Sequence, residues 1–224
     1  MIILLTPRLN LIKNQVKGSS VADIGTDHGF VPIELIKSGI CDKAIASDIN
    51  KGPASIAKAN IEKEKLSIDV RVGGGLSILQ KGEVQEIIIA GMGGKLISDI
   101  IGDHMDIAGS ARLILQPMNS QYELRKFLTE NGFFVEHEDL ALEGFKVYNV
   151  IVCGKNVNNR VTYNSELDFH VPGILKSHIY FNHLKEKKIR EFSKIINGYK
   201  LSKNPVDPEK LMYFENLLSK IKEL

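Results

Sequence analysis

At 224 residues, with 43% hydrophobic, 25% charged and 7% aromatic residues and a formal net charge of +2, the chain has the size and balance of one full α/β domain with a small appendage, which excludes a disordered or fibrous polypeptide. Its two cysteines, Cys41 and Cys153, stand far apart with no Cys-x-x-Cys spacing and no histidine partners, so neither a bound metal nor a disulfide framework is expected and the compartment reads as the reducing cytoplasm. The opening MIILL is too short for a signal-peptide core, and no apolar run approaches the ~18 residues of a membrane span, so neither export nor membrane insertion is expected.

In chain order, Thr6 or Asn10 caps a short helix through Val16 that sets Leu9, Ile12 and Val16 on one face, and Gly18 ends it. VADIGTDHGF, Val21 to Phe30, is the organising stretch: an apolar strand runs into an acid, two glycines and a helix. Gly25 and Gly29 permit the tight turn and close backbone approach that a nucleotide-like ligand needs. The spacing Asp-x-Gly-x-x-x-Gly lacks the middle glycine of the dinucleotide fingerprint, which favours S-adenosylmethionine over NAD; an ordinary strand-to-helix turn is the plain alternative. Pro32 sits near the start of the next helix, closed by Gly39.

Lys43 to Ser47 predicts a second strand that ends at Asp48, 19 residues after Gly29. An acid at that distance suits the two hydroxyl donors of a ribose, although a helix that starts near Pro53 would also favour an acid at its N-terminus. The helix from Pro53 to about Lys65 gives way to a third strand, IDVRV, and to Gly73, Gly74 and Gly75. Glu86 to Ala90 is short and almost wholly apolar, as in a central strand covered on both faces, and runs into Gly91, Met92, Gly93 and Gly94 before a helix from Lys95. The strand ARLILQ ends in Gln116, Pro117, Met118 and Asn119; a helix over about Glu123 to Asn131 and two strands, Phe133 to Glu138 and Lys146 to Val152, close an α/β sheet with an antiparallel edge hairpin.

The segments DIGTDHG, SDIN, AGMGG and LILQPM, in this order, resemble the bacterial tRNA adenine-N1 methyltransferase family that modifies adenine 22 of the D-loop, and the resemblance runs over nearly the whole chain. It implies an α/β class I methyltransferase, a Rossmann-like seven-stranded sheet with a C-terminal antiparallel helical (coiled-coil) hairpin, S-adenosylmethionine as methyl donor and tRNA as substrate. By position, Asp23, Gly25, Asp27 and Gly29 would line the methionine side of the cofactor, Asp48 would bind its ribose and Gly91 to Gly94 would border the methyl group; His28, Ile49, Gly74, Gly75 and Ala90 are further candidates for cofactor binding. One motif departs from the pattern, since Gly73, Gly74, Gly75, Leu76 stand where the family usually reads Gly-Asp-Gly-Leu. Adenine N1 has a lone pair at neutral pH, so the reaction needs alignment more than a strong base; Asp27 is the candidate to balance charge on the product, with Gly91, Met92 and Gly93 beside it. Arg8, Gln116 and Asn119 are candidate substrate contacts; the plain alternative for Asp27 and the strand-end polar residues is that they only satisfy turns.

Domains are expected at 1–155 for cofactor binding, 156–174 as connector and 175–224 as hairpin. Tyr180, Leu184, Phe192, Ile196 and Tyr199, then Leu211, Phe214, Leu218 and Ile221, recur at helical spacing, and Pro205 and Pro208 separate the two runs. Residues 176–224 hold 11 Lys or Arg against 6 Asp or Glu, a net +5 beside −3 for the rest, so outward lysines such as Lys185, Lys187, Lys188 and Lys194 are candidate phosphate contacts, or else simply a solvated face. A monomer is expected. A methyltransferase acting on a small molecule or protein, and a non-catalytic nucleotide-binding protein, remain rival readings.

Overall fold

The computed structural model describes residues 4–202 and 207–224; Pro205 and the first three residues of MIILL lie outside them. Helix α1 (Pro7–Gln15) starts where the Thr6 hydroxyl accepts from the Leu9 N–H, with Pro7 in the first turn, where its missing N–H costs nothing. Then come β1 (Ser20–Ile24), α2 (Phe30–Lys37), β2 (Lys43–Asp48), α3 (Lys51–Lys63), β3 (Asp69–Val72), β4 (Glu86–Met92), α4 (Gly94–Gly102), α5 (Met105–Ala108), β5 (Arg112–Pro117), α6 (Gln121–Glu130), β6 (Phe134–Glu143) and β7 (Lys146–Gly154).

These strands form one seven-stranded sheet in the order β3-β2-β1-β4-β5-β7-β6. The first five pair in parallel, and β7 runs antiparallel to both β5 and β6. β4 is central, as its apolar run implied: Ile87 and Ile89 enter the layer under α4 and α6, while Ile88 enters the layer under α1 and α2. Several boundaries differ from expectation, among them β6, which runs on past Glu138 to Glu143. α3 begins at Lys51 because Pro53 falls in its first turn, and β4 continues to Met92 because pairing with β5 resumes past a bulge at Gly91.

The segment expected as a connector is packed structure. It contains α7 (Glu166–His170), and its Tyr163 hydroxyl donates to Glu138 Oε1 at 2.6 Å. Glu138 also receives Arg125 Nε at 2.8 Å and Nη2 at 2.7 Å, while Arg125 Nη1 reaches the Phe169 carbonyl at 2.8 Å. Both charges of this pair are buried, and the bidentate geometry with its extra bonds satisfies them.

Helices α8 (Phe181–Leu201) and α9 (Pro208–Glu223) pack together through Phe192 and Tyr199 against Phe214. The hairpin seam is shared with the sheet domain, since Leu184, Phe192, Leu217 and Ile221 form one buried cluster with Leu140 of β6 and Val147 of β7. Among the described residues no helix is long and apolar enough to cross a membrane, and no group of three or more His, Cys, Asp or Glu is placed to hold a metal ion.

Candidate active site

The carboxyl ends of β1, β2 and β4 meet at one edge of the sheet, where the strand order reverses around β1. The loop after β1 is fixed to β2 because the N–H groups of Gly25 and Thr26 both donate to the Ser47 carbonyl at 2.8 Å. Gly25 has φ +74 and lies so close to Met92 that a Cβ would stand 2.2 Å from the Met92 Cε. Asp27, at φ +53, is exposed, and its Oδ2 is 2.8 Å from His28 Nδ1; the His28 ring in turn stacks on Phe30.

Two clefts open here. The larger, of about 530 Å³, is lined by Asp48, Ile49, Gly73 to Gly75 and, on the far wall, Leu96, Ile100 and His104. The second, of about 320 Å³, is lined by Arg8, Asp23, Thr26, Asp27, His28 and Phe30. Gly25, Ala90 and Gly91 border both. The pair therefore suits an elongated ligand, with an apolar slot at one end and charged groups at the other.

Asp23 is buried, and loss of solvation raises its carboxyl to about 6, only partly offset by the 2.7 Å bond it accepts from the Thr26 hydroxyl. A buried acid at a cleft wall is poised to meet a cationic ligand group. Asp48 Oδ1 accepts from the Asn50 N–H at 2.8 Å, which holds the carboxylate at the mouth of the larger cleft and leaves Oδ2 without a hydrogen bond among the described residues.

On the β4 side, Gly91 has φ +78 and is the bulged residue between two β4–β5 pairs. Its N–H donates to Gln116 Oε1 at 3.2 Å, and the same oxygen accepts from Arg8 Nη1 at 2.9 Å. Arg8 is held further by its N–H to Glu143 Oε1 at 2.8 Å and lies over the Tyr148 ring. Gly94 N–H donates to the Asn119 carbonyl at 3.0 Å, joining the glycine loop to the end of β5.

Several sequence expectations change on this geometry. Gly29 is buried away from both clefts, and a Cβ there would meet Ala57 at 3.3 Å, so it serves the α2–α3 contact. Gln116 is fully buried and committed to Arg8 and Gly91, so it has no surface with which to read a base. Lys188 is buried too, its Nζ 2.8 Å from Glu191 Oε2, and is not an outward phosphate contact. Lys187 is half-buried against the Val147 carbonyl, and burial lowers its ammonium; Lys185 is half-buried and Lys194 exposed. Sequence reasoning missed Leu96 and Ile100, although their four-residue spacing on the helix after AGMGG was a usable signal.

Residues 5–151 match the family model described as a methyltransferase domain. The chain belongs to the methyltransferase domain family. Over 153 residues it is 38% identical to the Bacillus subtilis tRNA (adenine(22)-N(1))-methyltransferase, a match that spans 66% of this chain and 64% of that relative. The crystal structure of the B. subtilis m1A22 tRNA methyltransferase TrmK superposes with a TM-score of 0.87 at 28% identity, covering 98% of this chain and 99% of that one. A Streptococcus pneumoniae structure in complex with S-adenosyl-L-methionine gives 0.83 at 29% identity, with coverage of 98% and 99%. The resemblance carried by DIGTDHG, SDIN, AGMGG and LILQPM is thereby borne out, as is the seven-stranded methyltransferase fold with its two C-terminal helices.

Proposed function

We propose that this methyltransferase moves a methyl group from S-adenosylmethionine to N1 of an adenine in tRNA, adenine 22 by analogy with the B. subtilis relative. The observation that carries the reading is the meeting of the two clefts at Gly25, Ala90 and Gly91. The glycines at this junction and the apolar Ile49 and Leu96 walls fit a nucleoside joined to a charged amino-acid end. When bound, S-adenosylmethionine supplies an electrophilic methyl group.

The residues of the chain do the rest. Asp48 Oδ2 is free to accept from ribose hydroxyls, Asp23 to pair with the amino-acid ammonium, and the αL turns at Gly25 and Gly91 keep side chains out of the reacting space. Alignment of nucleophile and methyl group in such a slot lowers a barrier by about 7 to 11 kcal/mol in favourable cases. Asp27, exposed at the rim, offers a carboxylate to the positive charge that develops on the methylated base. Arg8, fixed by Gln116 and Glu143, offers a cation to the RNA backbone.

The same reading assigns residues 1–155 to cofactor binding, 156–174 to connection and 175–224 to holding tRNA, in a monomeric cytoplasmic enzyme. Incubation with methyl-labelled cofactor and unmodified tRNA, followed by nucleoside mapping, tests it. Label in 1-methyladenosine at position 22 is expected; label elsewhere, or none, overturns it.

A further inference from the structure

Beside the reaction site lies a third cavity, of about 340 Å³, between the end of β5 with the start of α6 and the face of α8. Asn119 joins the two places. It lines this cavity, its carbonyl accepts from the Gly94 N–H, and its Oδ1 lies 3.0 Å from where a Gly93 Cβ would be. The cavity interior is aromatic. Tyr122 and His170 stack face to face at 4.2 Å and 13°, and Phe192 meets His170 edge-on at 5.1 Å.

Its charges do not suit a phosphate. The ammonium of Lys188 is already paired with Glu191 at 2.8 Å and sits 3.5 Å from Gln121 Oε1, and Glu123 adds a second carboxylate to the wall. Burial and the nearby Lys188 lower the His170 imidazole to about 4, so the stack is neutral at physiological pH. An aromatic and apolar lining rimmed by carboxylate and amide acceptors suits a neutral planar ring bearing N–H donors.

We propose that this cavity receives a second, unstacked nucleobase of the tRNA, one adjoining the methylated adenine in sequence or in the folded loop. The inference rests on the tRNA reading above. Single-stranded RNA is bound in this way, with splayed bases on aromatic platforms and their edges on polar side chains. It also gives the hairpin a role in placing the target, because α8 supplies one wall of the cavity and the loop after β5 with the start of α6 supplies the other.

Ile195, on α8, is 39% exposed and lines the cavity, so Ile195→Trp fills it from outside the core. The expected result is a rise of about tenfold or more in KM for tRNA, the scale of one base-aromatic stack, with cofactor Kd and melting temperature unchanged. Ile195→p-benzoylphenylalanine provides a second readout, photocrosslinking to one nucleotide close to the modified adenine. An abasic site at that nucleotide should then raise KM for the wild type and add nothing in Ile195→Trp. A wild-type protein that methylates tRNA while Ile195→Trp keeps its KM and position 195 gives no loop crosslink overturns the pocket alone. A wild-type protein inactive on tRNA overturns the parent reading, and this inference with it.

Discussion

Arg8 and Gly91 share a single acceptor, Gln116 Oε1, at 2.9 and 3.2 Å, although the three residues lie on α1, β4 and β5. The amide that accepts both bonds is fully buried, whereas its two donors line the cleft within reach of water. Gln116→Leu should therefore lose two hydrogen bonds, cost about 1 to 3 kcal/mol of stability at about 0.5 to 1.5 for each, and slow methyl transfer by roughly 5- to 100-fold through the displaced Gly91 turn. Cofactor Kd should move less than kcat. Calorimetry with single-turnover kinetics checks this, and an unchanged rate constant would show that Gln116 only packs.

The Gln116 network also marks where sequence stops being informative. The parallel sheet and the clefts at its carboxyl end were legible because strand runs such as EIIIA and the glycines after β1 and β4 are local signals. The places of Asp23, Gly25, Asp48 and Gly91 along those clefts were readable for the same reason. Gln116 and Lys188 were not: both look like polar residues at a strand end or on a charged helix, and only tertiary packing buries them. The packing of residues 156–174 was not legible either, since Tyr163 and Phe169 bind a salt bridge whose two members lie 13 residues apart on other elements.

Asp23 should give the stability curve a visible pH dependence. Its carboxyl is raised from 3.8 to about 6, so between those pH values the folded chain keeps a proton that the unfolded chain has released. Stability then falls as pH rises from about 4 to about 6, and above that window the buried anion carries a cost of about 3 kcal/mol, two pH units at ~1.4 kcal/mol each. Asp23→Asn should remove this contribution, raise the melting temperature of the ligand-free protein at neutral pH and weaken cofactor binding. The half-buried His170, lowered to about 4, adds a slope of opposite sign that both proteins share, so thermal melts from pH 4 to 8 are read as the difference between wild type and variant. That difference should grow from pH 4 to about 6, and a constant difference sinks the assignment.

Gly93 and Gly94 are adjacent yet should fail differently. A Cβ at Gly94 would lie 2.3 Å from the Ser120 carbonyl oxygen, a backbone atom that cannot step aside, so Gly94→Ala should cost stability by roughly 1 to 3 kcal/mol. At Gly93 the obstacle is the exposed Asn119 side chain, 3.0 Å away, which can move. Gly93→Val should accordingly fold and bind cofactor but lose methyl transfer. Urea melts and a methylation assay separate the two cases, and a fully active Gly93→Val variant would remove this loop from the reaction site.

Gly74 has ordinary extended backbone, φ −88 and ψ 127, and a Cβ there would touch only Ile49, at 3.5 Å. The cleft wall thus has room for an acid, and Gly74→Asp should bind cofactor equally or up to about tenfold tighter by adding one hydrogen bond to the adenine end. Titration calorimetry measures it. A marked loss of affinity would mean that adenine does not lie against this loop.

The hairpin cannot be tested by removing it, because its Leu184, Phe192 and Ile221 cover Leu140 and Val147 of the sheet and truncation would expose that apolar surface. Charge can be removed more gently. Lys185 and Lys194 are half-buried and exposed, whereas Lys188 is buried against Glu191 and Gln121. If the two former residues contact phosphates, Lys185→Gln with Lys194→Gln should weaken tRNA binding, leave the melting temperature unchanged and reduce the slope of log affinity against log salt by about 1.4 to 1.8, at 0.7 to 0.9 per contact. Lys188→Gln should do the reverse, costing stability while leaving the salt slope as it was, because an ion already paired inside the protein releases no counterion from RNA. Filter binding at several salt concentrations distinguishes them. Equal slopes for wild type and the double variant would place the RNA on another surface of the molecule.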